Sequence, residues 1–531
     1  MKNLKIRNEF IAFLVIFILG FAAYSNSLKG DFVWDDEVLV KENLNIKDWS
    51  KTLKFFIGDS GTKIIEKGII FRPVQMASYS LDYSFWGINS IGYHLTNVIL
   101  HILVVFAAYV LVKLLFNSKT LSFLTSILFI VHPVHTEAIS YISGRADPLA
   151  ALFILRCVIL YIKQSTLLKN TTSYFLILIS YVFALLSKEY SLVTPLLLFI
   201  YSYTFNKKLL FKEFFSVLII SFSYVLLRLF IIPTHAIATS NLFQRIPGFF
   251  IAITEYLKLL LIPLNLHMEY GNKLFNFYNV KVILGLIITI LIFTYAFIKR
   301  KSDKLIFFSI FWFFICLLPV SNLFPVNAYM AEHWLYLPSI GFFILLANIF
   351  ALLYKVKIKY FKFVTIILVA CLVAVYFITT IKQNNYWRNN LSFGSHTLQY
   401  APDSTRLHAL ICQSCIKIGE IKTAEIFCRR AMEIDPNNPN AYSLLGVISG
   451  SKGLYNESIA YFKQAIKLEP TYIFAYNGLG VSYILTNNFI EAKRVWGEGL
   501  KIDPDSLLLK ENLKKLESDE NFKTLLKLET S

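Results

Sequence analysis

Long apolar runs broken by short basic turns fill the first two thirds of the chain, and after about Asn390 an amphipathic pattern takes over. The apolar runs fall at roughly 9–28, 95–116, 121–139, 147–162, 172–187, 191–205, 213–232, 280–298, 304–320, 335–354 and 363–381. Each is near the ~20 residues that a helix needs to cross hydrocarbon, and two are short. A further run, 249–264, carries Glu255 and Lys258 and predicts an interfacial or re-entrant helix rather than a crossing. About 11 crossings are therefore expected.

The basic residues choose the orientation. With 249–264 not crossing, the turns on the N-terminal side hold Lys2, Lys5 and Arg7, then Lys163 and Lys169, then Lys207, Lys208 and Lys212, then Lys299 to Lys304, then Lys355 to Lys362. That is the positive-inside arrangement, so the N-terminus is read as cytoplasmic. The run Phe10–Ala23 continues without a small-residue cleavage site and reads as an uncleaved first anchor. The loop 29–93 is exoplasmic and is expected to form short helices along the membrane surface.

In the last quarter Pro402, Pro436, Pro470 and Pro504 recur every 34 residues (436 − 402, 470 − 436, 504 − 470), the tetratricopeptide period. Gly446 and Gly480, then Ala424, Ser458 and Ala492, then Ala431, Ala465 and Gly499 fall in phase as the small residues where paired helices approach. The expected organisation is a membrane domain over 1–389 and a repeat domain over 390–531. The repeats are expected at about 403–436, 437–470 and 471–504, followed by a capping helix near 506–516. Odd span number places this domain on the exoplasmic side. Its concave face would take a peptide or protein. Cys412, Cys415 and Cys428 sit at packing positions and are read as plain core, with a Cys412–Cys428 disulfide as the alternative that an exoplasmic setting permits.

Composition agrees with a membrane chain: 56% of the 531 residues are hydrophobic and 16% charged, against about 45–50% and 25% in soluble domains. The net charge of +18 does not point to nucleic acid, because the cations gather in the cytoplasmic turns. Six cysteines are too scattered for a disulfide framework.

Five polar clusters then stand out, because ionisable groups beside apolar spans are costly and tend to mark function. Asp35 and Asp36 form an acidic pair just after the first span, suited to a general base, although a solvated loop is the plain reading. His94, Asn97 and His101 share one helical face, by inter-helix hydrogen bonding in the plain account. His132, His135 and Glu137 carry metal-ligand chemistry, but Pro133 breaks the spacing that helical zinc ligands need. In the same third cluster Arg145 with Asp147 reads as a loop clamp, or Arg145 as a phosphate holder. Lys188-Glu189, and Glu332-His333 with Tyr336, complete the set, and all five open on the exoplasmic side.

Several sequences together resemble the transmembrane and tetratricopeptide-repeat protein O-mannosyltransferases and their prokaryotic relatives within the GT-C glycosyltransferase superfamily. They are Phe32-Val33-Trp34-Asp35-Asp36, Phe71-Arg72-Pro73, Tyr93-His94-Leu95-x-Asn97, His132-Pro133-Val134-His135-Thr136-Glu137-Ala138, Gly144-Arg145-Ala146-Asp147, Ser187-Lys188-Glu189, Pro263-Leu264-Asn265-Leu266 and Glu332-x-x-x-Tyr336-Leu337-Pro338-Ser339.

The resemblance implies an all-α, GT-C-type membrane bundle followed by a tetratricopeptide (TPR) superhelix. It also implies inverting transfer of a mannose-like sugar from a polyprenyl-phosphate carrier to a protein Ser/Thr hydroxyl. On that reading Asp35 or Asp36 acts on the acceptor, and Arg145, His333 or Lys188 meets the departing phosphate. The lipid-linked sugar is the co-substrate and the partners are membrane lipid and an acceptor polypeptide; the sequence establishes no cofactor, a divalent cation shared by the adjacent acids being the candidate. A membrane-anchored scaffold without enzymatic activity is the rival reading. Abundant Lys, Asn, Ile and Phe favour a prokaryotic plasma membrane over endoplasmic reticulum.

Overall fold

The computed structural model describes residues 2–58, 71–166, 170–231, 240–271, 273–326, 328–358 and 360–518, and among these the chain is helical without strands. It divides into two compact units, Met1–Asn389 and Asn390–Ser531.

In the first unit the α-helices are α1 (Lys2–Tyr24), α2 (Pro73–Trp86), α3 (Ser90–Phe116), α4 (Lys119–Ile130), α5 (Thr136–Ile139), α6 (Ala146–Thr166) and α7 (Thr171–Ser187), then α8 (Thr194–Thr204), α9 (Phe211–Ile231), α10 (Leu242–Leu261), α11 (Val280–Lys299), α12 (Lys304–Leu317), α13 (Ser339–Lys355) and α14 (Phe361–Tyr386). Polar residues set the boundaries. Asn117 adopts φ 50° to end α3, and the Ser118 side chain accepts from Leu121 N to start α4, so two residues turn the chain. Asp303 caps α12 by accepting from Leu305 N and Ile306 N.

Among the described residues five helices are long and apolar enough to cross a membrane, within 9–29, 90–116, 211–230, 280–299 and 361–386. A sixth is reached if Lys119–Ile130 and Pro133–Ile139, bent by 56°, count as one. The expected span 121–139 is thus broken, because Pro133 has no N–H to continue the helix and clashes with the turn before it. Of the eleven expected runs, the remaining five lie on α6, which carries Asp147, Arg156 and Lys163, on the short α7, α8 and α13, and on α12, which a 3-10 turn extends to Val320. Helix length alone accounts for five or six crossings, and this is the basis for describing a multi-pass membrane protein. The run 249–264 lies mainly on α10, a twenty-residue helix that also carries Arg245. The loop 29–93 contains short helical turns at Glu37–Lys41 and Trp49–Ile57 and the helix α2; residues 59–70 lie outside the described part.

The second unit opens with α15 (Asn390–Leu398) and continues as helix pairs: α16 (Thr405–Lys417) with α17 (Ile421–Ile434), α18 (Pro439–Ser451) with α19 (Tyr455–Leu468), and α20 (Ile473–Leu485) with α21 (Phe489–Ile502), ending on α22 (Leu507–Ser518). The in-phase small residues lie where large ones pack: a side chain on Gly446 would strike the Phe462 ring, and one on Gly480 the Trp496 ring. Cys412 and Cys428 form a disulfide between α16 and α17, while Cys415 stays a buried free thiol. The expectation of three plain core cysteines is corrected, because the first pair's facing helices bring the two Cα atoms to 5.5 Å.

Candidate functional site

The segment 132–147 is the hub of the first unit. It folds as two 3-10 turns around α5, and it closes on itself at Gly144, where any side chain would collide with the Glu137 carbonyl. Most of the polar residues singled out in the sequence are spent on holding it.

Asn97 donates to the carbonyls of Ile139, Tyr141 and Ile142 at 3.1, 3.2 and 3.3 Å. Its own oxygen accepts from Arg145 Nε at 2.6 Å. Arg145 is fully buried: Nη1 donates to the Ser78 carbonyl and hydroxyl, Nη2 donates to the Tyr93 carbonyl, and Nη2 lies 2.6 Å from the Asp82 carboxylate as an ion pair. Its guanidinium also lies 4.8 Å from the Tyr79 ring centre. Arg145 is therefore a clamp between α2, α3 and the hub, and its partner is Asp82, not the expected Asp147. Asp147 instead takes both contacts of Lys188 Nζ, at 2.7 and 2.8 Å.

Three histidines are likewise inward. His94 Nε2 meets the Gly30 carbonyl at 3.2 Å, His101 Nδ1 meets the Tyr336 hydroxyl at 2.7 Å, and His132 Nε2 meets the Leu260 carbonyl at 3.3 Å. His135 is fully buried, its ring centre 4.3 Å from that of Phe129. Glu137 points away from them, binding His333 through the backbone N–H at 3.0 Å and through Nδ1 at 2.7 Å. His132, His135 and Glu137 thus do not converge, and among the described residues no three His, Cys, Asp or Glu side chains come together as metal ligands. His132, His135 and Glu137 as placed do not fit a bound divalent cation.

Glu332, nearly fully buried, accepts from His267 N at 2.6 Å and from the Tyr270 hydroxyl at 2.7 Å. Burial pushes its carboxyl well above the usual range, with the nearby Glu137 adding to the shift.

The acidic pair divides its labour. Asp36 is 1% exposed and accepts from Val33 N at 3.0 Å, Ser143 N at 2.7 Å and the Ser143 hydroxyl at 2.5 Å, which ties the loop to the hub. Asp35 is half-buried, beside Trp34, whose φ of 57° puts a bulky side chain in the left-handed region. Such a conformation costs on the order of 1–3 kcal/mol and persists only where its surroundings impose it. The turn presents Asp35 while Asp36 anchors it.

Burial pushes the Asp36 carboxyl up to about 7, against the pull of the Ser143 and Val33 donors. The folded value lies above the ordinary carboxylate value of ~3.9. Its contribution to stability is therefore complete below that value and is lost as pH rises through about 7. Between roughly pH 5 and pH 8 the melting temperature of the natural chain should fall further than that of Asp36→Asn. Parallel falls in the two proteins would show that Asp36 does not set this dependence.

Positive charge collects on the neighbouring elements. Arg72 pairs with Glu189 at 3.0 Å, and Arg228, in the last turn of α9, stands 3.7 Å from the same carboxylate. Burial alone would raise the Glu189 pKa, but Arg72 and then Arg228 hold it below the usual range. Counting Lys188 and Asp147, the group holds three cations and two anions. The Arg72 and Arg228 side chains are 19% and 29% exposed, so this excess cation reaches the surface.

Reading residues as isolated clusters missed Asp82, Ser143, Arg228, Tyr270 and Asn384. The last joins Ser140, the Ala23 carbonyl and Asn26, each at 2.8 Å. An arginine inside an apolar run was the signal available for Arg228, and Tyr376, Thr380, Gln383 and Asn384 on one face of α14 was the signal for Asn384.

Comparison with known proteins agrees with this architecture. The tetratricopeptide-repeat family model matches residues 439–472. A Caenorhabditis elegans protein O-mannosyl-transferase is 28% identical over 80% of this chain and 63% of its own length. Human protein O-mannosyl-transferase TMTC2 is 36% identical over 29% of this chain and 19% of its own, and mouse TMTC1 is 37% identical over 26% and 15%. The chain thus spans less than two thirds of these relatives. The Aspergillus fumigatus Sgt2 TPR domain is 18% identical over 21% of this chain and 76% of that domain, with a TM-score of 0.21. Taken with the apolar helices and the 34-residue repeat, these matches make the chain TMTC-like: it is similar to the transmembrane and tetratricopeptide-repeat proteins named protein O-mannosyl-transferases.

Proposed function

We propose that this chain is a membrane glycosyltransferase that moves a mannose-like sugar from a polyprenyl-phosphate carrier to a Ser/Thr hydroxyl of a protein. The site faces the exoplasmic side, opposite the lysine-rich turns. One observation carries the reading: a half-buried Asp35 held on a strained turn by its anchored neighbour Asp36, in a unit that also brings a cation excess to the surface at Arg72 and Arg228.

In the reaction Asp35 takes the hydroxyl proton as the oxygen attacks the anomeric carbon from the face opposite the phosphate. The bond from that carbon to the phosphate oxygen breaks with its electron pair on the leaving group. The products are the inverted glycoside, the lipid phosphate and protonated Asp35, which returns its proton to water. Arg72 and Arg228 meet the charge that grows on the phosphate, in a setting where it is poorly shielded by solvent. Glu137, His333, Arg145 and Asp147 act by holding the loops. The names of the relatives support protein O-mannosylation in general. The disulfide in the first repeat supports an oxidising, exoplasmic compartment for the second unit.

The test is reconstitution of the full chain in vesicles with polyprenyl-phosphate mannose and a Ser/Thr-rich peptide outside, comparing right-side-out with inverted insertion. Glycopeptide should form only when the N-terminus lies inside. Transfer solely in the inverted population would reverse the sidedness. No transfer in either, with peptide still bound, would favour the scaffold.

A further inference from the structure

The phenol of Tyr141 is buried with nothing to bind. The residue is 6% exposed, and its hydroxyl makes no hydrogen bond among the described residues. A serine or threonine hydroxyl within a helix can turn to the carbonyl of the preceding turn; a phenol stands too far from its own backbone to do so. Tyr24 and Tyr141 are the two tyrosines in this state among the described residues, and of the two it is Tyr141 on which carboxylate charge acts. Burial, then the charges of Asp35 and Asp36, raise its pKa well above the ordinary phenol value, so it keeps its proton and stays a donor.

The ring is fixed from several sides. The Tyr141 carbonyl accepts from Asn97 Nδ2 at 3.2 Å, and the ring stacks on that of Trp387 with centres 5.1 Å apart and planes at 24°. The residue after Trp387 reaches the acidic loop, where Asp31 N donates to the Arg388 carbonyl at 2.8 Å. Two residues beyond Tyr141, Ser143 binds Asp36 through its N–H and its hydroxyl. The Ser143 oxygen lies near the phenol, but no hydrogen-bond geometry joins them.

An unpaired buried donor costs stability, and a fold that keeps one calls for a use elsewhere in its working cycle. Asp36 is locked in place by three donors, from Val33 and Ser143. Asp35 sits half-buried on the strained turn, so it is the carboxylate that a small shift of the loop brings to the phenol. A carboxylate has about four lone-pair sites, which leaves room for a phenol beside the contacts that Asp35 already makes.

We propose that Tyr141 is a positioning residue for the transfer: as the 30–36 loop closes on substrate, its O–H donates to one oxygen of the Asp35 carboxylate and aims the other at the acceptor hydroxyl. The phenol keeps its proton throughout, and the acceptor's proton goes to the free oxygen of Asp35. The inference rests on the reading of Asp35 as the base.

The test is a double-mutant cycle on the full chain in nanodiscs, with polyprenyl-phosphate mannose and a Ser/Thr-rich peptide. Tyr141→Phe should lower kcat about thirtyfold, as the loss of a group that orients a reacting one does, and leave KM for both substrates unchanged. Its melting temperature should equal or exceed that of the natural chain, because the substitution removes a buried hydroxyl that nothing satisfies. In an Asp35→Asn background the same substitution should change the residual rate by less than about twofold, since it acts through the carboxylate. The inference is overturned by a kcat within threefold of natural, by a loss that appears in KM, by a lower melting temperature, or by an equal factor in both backgrounds. Asp35→Asn with its rate intact would instead remove the base itself, and the inference with it. A rate lost in Asp35→Asn but kept in Tyr141→Phe would leave the base standing and remove Tyr141 alone.

Discussion

Asp35→Asn should lower sugar transfer by about a thousandfold, within the ~10²–10⁴ that a positioned general base contributes, while membrane insertion and melting temperature stay as they are. The two halves of that expectation have different causes. The amide keeps the size of the carboxylate and its ability to accept a hydrogen bond, but it cannot take the acceptor's proton in the transition state. The loss should fall on kcat, with KM for the peptide little changed. Stability is spared because Asp36 ties the turn to the hub, through Val33 and Ser143, and the amide keeps the size and an accepting oxygen of Asp35. Asp36→Asn should show the complement, a lower melting temperature accompanying any loss of rate. Transfer within tenfold of the natural rate in Asp35→Asn would sink the catalytic assignment, because Asp35 is the half-buried acid that the turn anchored by Asp36 presents.

What could be read from the sequence follows the range of the interaction. The 34-residue period is local, since each repeat buries its face on the next, and Gly446 under Phe462 or Gly480 under Trp496 needed nothing beyond the spacing. Apolar runs marked the membrane helices for the same reason. Pairings across the bundle were not legible. Arg145 lies two residues from Asp147, yet it reaches back to Asp82 in α2 and leaves Asp147 to Lys188. Sequence proximity favours the adjacent pair, but the turn from 142 to 145 points the guanidinium at α2 and α3 while α6 carries Asp147 toward the end of α7. The strain at Trp34 was equally hidden, because a tryptophan has no preference for positive φ and only the packed loop imposes it. Most of the clusters named from sequence pack around the 132–147 hub, and the division into residues that hold and residues that present emerges only from their partners.

That division has its sharpest consequence at Arg145. Arg145→Met should cost on the order of 3–5 kcal/mol, the usual penalty for removing one partner of a buried ion pair, and should appear as a large drop in melting temperature and in yield of inserted protein. The methionine fills much of the space, so the cost is electrostatic: the Asp82 carboxylate, the Asn97 oxygen and the Tyr93 and Ser78 carbonyls lose their donors together. Lysine should not rescue, because a point charge with three donors cannot span partners arranged for a planar fork of five. Asp82→Asn combined with Arg145→Met should recover part of the loss, since the stranded charge goes with its partner. A phosphate-holding arginine makes the opposite forecast: Arg145→Met would keep its melting temperature and raise KM for the lipid-linked donor. The side chain has no exposed surface, and its guanidinium is already engaged by Asn97, Ser78, Tyr93 and Asp82. On the proposed reading the phosphate contact falls to Arg72 and Arg228, and Arg228→Ala should raise the donor KM at little cost to stability.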